Sequence, residues 1–151
     1  MTPRVMEASG LVKQGNGGNY YDLFRNRLTF PIRDLTGRVV AFGGRELGDG
    51  EVKYINSPET VVYKKSTVLS GLYFDVPRCF EAGLELAVAP CGTALTPEQA
   101  KLLARYVEEV IVLFDGDAAG IRAAIKAVGI LVGAGLGTKV LVLPDGADPD
   151  E

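Results

Sequence analysis

The chain has 151 residues, of which 47% are hydrophobic and 23% charged, enough for one domain with a small attached subdomain and a buried core. Its formal net charge of -3 excludes nothing by itself, because binding follows where the charge lies rather than its sum. With no histidine and only Cys79 and Cys91, a histidine-containing zinc site and a four-thiolate one are both excluded within the chain.

Both cysteines read as small buried side chains rather than as a disulfide. Met1-Thr2-Pro3-Arg4 lacks the apolar core of a signal peptide, and Arg122 and Lys126 interrupt the longest apolar candidate well short of bilayer length. A cytoplasmic protein with no membrane partner is the expectation.

Residues 1–22 are weakly patterned. They leave a helix around Arg4 to Leu11 open, and Gln14-Gly15-Asn16-Gly17-Gly18-Asn19 reads as a loop. The alternation in Phe24 to Asp34 predicts a strand, with Pro31 placing it at a sheet edge or strand end. Leu35 to Arg38 is a turn, Val39 to Phe42 a second strand, and Gly43-Gly44 a point where the backbone bends or approaches a ligand. After a turn over Glu46 to Gly50, Lys53 to Asn56 is a short extended piece. This part reads as a small antiparallel meander carrying Arg25, Arg27, Arg33, Arg38, Arg45, Lys53, Lys64 and Lys65. On its own that is a solvated basic face.

Val68-Leu69 and Leu72-Tyr73-Phe74 follow, then a short helix over Pro77 to Ala82 and a strand over Glu85 to Ala89. Thr96-Pro97-Glu98-Gln99 has the form of a capping box with proline at the first helical position. The helix it starts is predicted to reach Tyr106, with Leu102, Leu103 and Tyr106 inward. Val110-Ile111-Val112-Leu113-Phe114 is apolar throughout, as in a strand buried on both faces of a parallel sheet. A helix over Ala118 to Val132 is predicted next, with Ile121, Ala124, Ile125, Val128 and Leu131 or Val132 inward. Gly133 to Gly137 reads as a helix stop and loop, not a phosphate-binding fingerprint, because it follows a helix rather than opening one. Thr138 to Leu143 is the last strand. The alternation from Thr96 onward predicts an α/β fold.

Both late strands run into acidic turns. Asp115-Gly116-Asp117 follows one, and Asp148 and Asp150 lie in Pro144 to Glu151 after the next. Asp-Gly-Asp is an ordinary turn sequence, but ligands of parallel sheets sit at the carboxyl ends of strands. If the two strands lie side by side, Asp115, Asp117, Asp148 and Asp150 converge. Four converging carboxylates suit a hard divalent cation, Mg²⁺ first, since it also holds phosphates. Two such ions would clamp the attacking and leaving oxygens of a phosphoryl transfer. A basic region beside an acidic one suits a phosphate polymer held next to metal.

These residues resemble the TOPRIM catalytic core of bacterial replicative DNA primases of the DnaG type. The resemblance lies in Phe114 to Gly120 and Leu143 to Glu151, the metal motifs, and in Phe30 to Asp34, Gly37 to Arg45 and Lys53 to Thr60. Gly92 to Thr96 also resembles the primase pattern. The paired-aspartate motif is shared with topoisomerases and other TOPRIM proteins, whereas the three upstream motifs are specific to primases. The similarity runs from about Tyr21 to the end. It implies a TOPRIM-like, Rossmann-like, mostly parallel sheet with helices on both faces over residues 66–151, preceded by a small antiparallel basic subdomain over residues 1–65.

The implied activity is DNA-directed synthesis of short RNA primers by metal-dependent nucleotidyl transfer, with Mg²⁺ or Mn²⁺ and no zinc site. Asp115, Asp117, Asp148 and Asp150 would hold metal, and Asp75 would support catalysis. Arg45 and Lys53 would face nucleotide phosphates; Arg25, Arg27 and Lys65 would track nucleic acid. The implied partners are a single-stranded DNA template, ribonucleoside triphosphates and the RNA primer, with the replicative helicase met through a domain not present here. One departure stands out. The family's Glu-Gly-Tyr-x-Asp-Val motif is represented by Tyr73-Phe74-Asp75-Val76, but Gly71 occupies the place of the glutamate. Gly71-Leu72-Tyr73 matches an earlier family segment, as if two similar tripeptides were fused and the helix and strand between them lost. Non-catalytic nucleic-acid binding is therefore a second reading. A TOPRIM nuclease or recombination module is a third, disfavoured by Pro31 to Asp34 and Lys53 to Thr60.

Overall fold

The computed structural model describes residues 2–50, 52–71, 87–92, 94–114 and 116–143. A short helix α1, Pro3–Ala8, opens on proline at its N-terminus. Strands β1 (Val12–Gln14) and β2 (Tyr20–Asp22) then pair antiparallel around the glycine-rich loop. The loop is as predicted; the hairpin it closes is too short to show a period.

Strands β3 (Arg27–Arg33), β4 (Val39–Glu46) and β5 (Tyr54–Asn56) form an antiparallel sheet in the order β3-β4-β5. Pro31 sits on an edge strand, where its missing N–H costs no ladder bond. The turn between β3 and β4 is built on the Asp34 carboxylate, which accepts from the Thr36 amide and hydroxyl and from the Arg38 amide and Nε. Those donors, the Thr36 hydroxyl first, pull the Asp34 carboxyl down to about 2.

Gly43-Gly44 does not bend the chain. β4 runs straight through both glycines, which pair with Phe30 and Thr29 on one side and with Asn56 and Ile55 on the other. The need for glycine is steric: a Cβ on Gly44 would lie 2.5 Å from Cδ1 of Phe24. Phe24 also meets Phe42 edge-on, with ring centroids 6.4 Å apart.

Strands β6 (Leu69–Gly71) and β7 (Val88–Pro90) pair antiparallel. Helix α2 (Pro97–Leu103) follows, and both halves of the Thr96–Gln99 capping box form. α2 stops short of Tyr106, which is 67% exposed rather than inward, because the chain leaves the helix through a turn toward the next strand.

Strands β8 (Glu109–Phe114) and β9 (Gly137–Val142) are parallel and joined by helix α3 (Ala118–Gly133), a β-α-β unit. The inward face of α3 differs from the expectation at two positions. Gly120, Ala124, Ala127 and Leu131 are buried, whereas Ile121 and Ile125 are exposed, Ile125 at 67%. Small residues on the buried stripe let α3 lie close on β8 and β9. α3 ends in the predicted glycine loop: the Leu136 amide reaches the Leu131 carbonyl, the Gly135 amide reaches that of Val132, and Gly135 is left-handed at φ 84. Leu136 then packs on Leu131, the hydrophobic contact that goes with this C-terminal motif.

Two cores result. Ala100, Val112, Ala127, Leu131 and Leu136 form one; Ile32, Ala41, Tyr63 and Cys91 form the other. Burial, and secondarily Cys91, drive the Tyr63 phenol well above its usual range. Among the described residues the only parallel pair is β8-β9, and α2 and α3 share one core, while Ile111 and Leu141 on the opposite sheet face are exposed. The predicted helix over Pro77 to Ala82, the first two residues of the strand over Glu85 to Ala89, and the acidic turn Pro144 to Glu151 lie outside the described residues, as does Cys79.

Leu131→Ala is expected to lower stability by about 2–5 kcal/mol, whereas Ile125→Ala stays within about 0.5 kcal/mol of the parent chain. Urea unfolding of both variants checks the assignment, and an equal loss at Ile125 would restore the inward placement.

Candidate nucleic-acid and metal site

Partner residues across an antiparallel ladder share a face, and successive residues alternate faces. Leu28, Arg45 and Tyr54 are therefore one row, and Arg27 and Glu46 belong to the opposite face. The first row is open: Leu28, Arg45 and Tyr54 are all exposed. The Arg45 guanidinium lies 5.7 Å from the centroid of the Tyr54 ring, a cation–π contact that orients it while leaving its N–H groups available. Lys53, next to this row, is exposed, and among the described residues its ammonium meets no acceptor. Arg25, just before β3, is likewise exposed and without a side-chain bond among the described residues.

Lys65 is half-buried and held by its backbone. Its amide donates to Oε1 of Glu59 at 2.9 Å, and its carbonyl accepts from Nε2 of Gln99 at 2.9 Å. Sequence reading singled out Gln99 only as a capping residue; its reach across to Lys65 has no local signature.

Arg27 is used differently from the other four cations. Its Nη2 pairs with Oε2 of Glu46 at 2.9 Å, and the two side chains are only 11% and 13% exposed. It faces away from the Arg45 row, and sequence reasoning missed Glu46 as its partner. Asn56, on the Arg45 side of the sheet, sits close to both Gly43 and Gly92. Gly92 is left-handed at φ +73, and a Cβ there would stand 2.9 Å from the Asn56 amide nitrogen.

At the other end, Phe114 of β8 lies beside Val142 of β9. The segments after both strands thus leave from the same edge, where the open end of a parallel sheet takes ligands. Asp117 is the one predicted acidic residue among those described. It caps α3, its Oδ1 accepting from the Gly120 amide at 2.6 Å, and it is exposed, with Oδ2 accepting nothing among the described residues. Asp75, Asp115, Asp148 and Asp150 lie outside the described residues, and within those described no group of three potential ligands comes together. The donor chemistry is carboxylate oxygen with no histidine, which fits Mg²⁺ or Mn²⁺ and not zinc. No described helix is long and apolar enough to cross a membrane.

Residues 72–151, which contain this β-α-β unit, match the family described as Toprim-like. Residues 1–75 match the family described as DNA primase catalytic core, N-terminal domain. The chain belongs to the catalytic cores of DnaG-type bacterial DNA primases.

The DNA primase of Halalkalibacterium halodurans is 42% identical over 163 residues, which takes in 96% of this chain and 27% of the relative. A DNA primase domain from Pseudomonas aeruginosa is 40% identical, with a TM-score of 0.87 over 97% of this chain and 53% of that one. A DnaG primase catalytic domain bound to ssDNA is 37% identical, with a TM-score of 0.87 over 99% of this chain and 56% of that one. The chain thus spans about a quarter of the length of the curated relatives it matches. An aligned stretch of 163 residues is longer than the whole chain of 151, so the first relative carries residues in the matched region that have no counterpart here. The two family matches overlap at residues 72–75.

Asp117 caps a helix and is also a candidate metal ligand, and substitution separates the two roles. Asp117→Ala should cost about 1 kcal/mol of stability in metal-free buffer, while Asp117→Ser, which keeps a cap acceptor, should cost only a few tenths. Both should lose Mn²⁺ affinity equally in a titration followed by Mn²⁺ spin resonance; retained affinity in Asp117→Ser would remove Asp117 from the ligand set.

Proposed function

We propose that the chain takes part in the synthesis of short RNA primers on a single-stranded DNA template, by metal-dependent nucleotidyl transfer. The observation that carries this reading is the combination, in one chain, of exposed cations on an antiparallel sheet with a carboxylate at the open end of two parallel strands. The similarity to a DnaG catalytic domain described as bound to ssDNA supports the same partner here. Arg45 and Lys53 contact nucleotide phosphates, and Arg25 and Lys65 track the nucleic-acid backbone. Such contacts give affinity that is independent of sequence and falls with salt.

Asp115, Asp117, Asp148 and Asp150 form the metal set, with Asp75 in support. A divalent cation bound there would supply Lewis-acid activation of the primer 3′-hydroxyl and neutralise the pyrophosphate that leaves the incoming nucleotide. The chain's own contribution is position. Tyr54 orients Arg45, the backbone bonds of Lys65 fix where its stem leaves the turn, and the N-cap bond of Asp117 sets the direction of its second oxygen. The reading includes a boundary between the two units at residues 65 and 66, a doubly wound Toprim sheet, a cytoplasmic location, and a replicative helicase met through a region outside this chain.

A second reading is favoured by one specific observation. The relatives carry residues within the matched region that this chain lacks, and we place that loss at Gly71 and Leu72, where the family's motif glutamate would stand. On that reading the chain binds single-stranded DNA without polymerising. A template-directed assay with labelled ribonucleotides and Mg²⁺ or Mn²⁺ separates the two. Primer above the level of an Asp115→Ala control is expected under the first. Background-level product with intact, salt-sensitive binding of single-stranded DNA selects the second, and absence of that binding overturns both.

A further inference from the structure

We propose that Arg27 does not touch nucleic acid: paired with Glu46 across the β3-β4 ladder, it is a positioning residue that fixes the backbone from which Lys53 projects. The inference rests on the reading of Lys53 as a phosphate contact. Arg27 and Glu46 are direct cross-strand partners. Besides its 2.9 Å bond to Glu46, Arg27 donates from Nη1 to the Lys53 carbonyl at 3.2 Å. That carbonyl already accepts from the Glu46 amide at 2.8 Å. The other carboxylate oxygen of Glu46, Oε1, accepts from Nδ2 of Asn26 at 2.7 Å, and Asn26 sits in the left-handed region at φ 54 with its own carbonyl accepting from the Leu47 amide.

The result is a closed network around one backbone carbonyl. β5 is an edge strand of three residues beginning at Tyr54, so Lys53 stands just outside the ladder. The Glu46 amide and the Arg27 guanidinium replace the pairing that a longer strand would have given it. A phosphate approaching Arg27 would meet the Glu46 carboxylate first. The pair is mostly shielded from water and its geometry is charge-assisted, so opening it to bind phosphate is unfavourable. The exposed cations Arg45 and Lys53 carry no such neighbouring carboxylate among the described residues.

The two roles predict opposite signs for Glu46. If Arg27 binds phosphate directly, Glu46→Gln removes a competing negative charge and tightens binding. If Arg27 positions Lys53, Glu46→Gln removes the charge and leaves one acceptor where Arg27 and Asn26 need two, which loosens the network and weakens binding. The experiment is the anisotropy of a labelled single-stranded oligodeoxynucleotide against the 151-residue chain, titrated at several salt concentrations. Lys53→Ala should weaken binding by about threefold and reduce the slope of log affinity against log salt by about 0.7, the value for one phosphate contact on a single strand. Arg27→Gln and Glu46→Gln should each approach that loss in affinity and slope, and the double variant should be no worse than either single one. Urea midpoints confirm that each variant is folded. Should Arg27→Gln not fold, the sign at the near-isosteric Glu46→Gln still decides. Tighter or unchanged binding in Glu46→Gln, or a double variant whose loss is the product of the two single losses, overturns the proposal while leaving the Lys53 reading intact. A silent Lys53→Ala removes that reading and this inference with it.

Discussion

The side chain of Gln99 is fully buried, and its amide is engaged on both sides. Its Oε1 accepts from the Thr96 amide at 3.0 Å, closing the capping box of α2. Its Nε2 donates to the carbonyls of Lys65 at 2.9 Å and Val68 at 2.8 Å. Thr96 adds a bond from its hydroxyl to the Ser66 carbonyl at 2.7 Å. The N-terminus of α2 therefore accounts for three consecutive-region carbonyls in the segment that joins the basic sheet to the Toprim module. Carbonyls in such a segment need donors when water is excluded, and a single glutamine provides two of them. The placement of Lys65 depends on this junction, because Gln99 and Thr96 hold the backbone carbonyls of Lys65, Ser66 and Val68.

The same economy recurs at the far end of the sheet. Lys53 and Lys65 are both four-carbon cations whose heads meet no acceptor among the described residues, while the backbone beneath each is pinned by polar groups from elsewhere in the chain: Glu59 and Gln99 for Lys65, Arg27 and the Glu46 amide for Lys53. Rigid support under a mobile head reduces the ordering cost of binding without fixing the ligand's sequence. Asp117 follows a related pattern, one oxygen spent on the helix cap and the other left over. A carboxylate at a helix N-terminus is stabilised there by the helix dipole.

Local rules carried much of this fold. The capping box, the glycine loop after α3, Pro31 on an edge and the parallel pairing of β8 with β9 follow from residue patterns spanning a few positions. What stayed hidden was set by partners distant in sequence. Gly43-Gly44 has the composition of a bend, but Phe24 requires a residue without a Cβ inside a continuous strand. Ile121 and Ile125 satisfy an amphipathic period, yet the stripe that packs is Ala124, Ala127 and Leu131. At the site, the open cations were legible as charges in a meander. That Arg27 was committed to Glu46 was not legible, since antiparallel register decides which charge faces which, and register is a property of the pair.

The most direct test of the central claim, that Gln99 welds the basic sheet and the Toprim module into one cooperative body, is urea unfolding followed by two probes. Tyrosine fluorescence reports mainly on the N-terminal half, which holds Tyr20, Tyr21, Tyr54, Tyr63 and Tyr73, and far-ultraviolet circular dichroism reports mainly on α2 and α3. The parent chain should give coincident transitions. Gln99→Leu, which withdraws both donated bonds at a cost of about 1–3 kcal/mol each, should split them into two. Coincident transitions with an unchanged midpoint in Gln99→Leu would contradict the account.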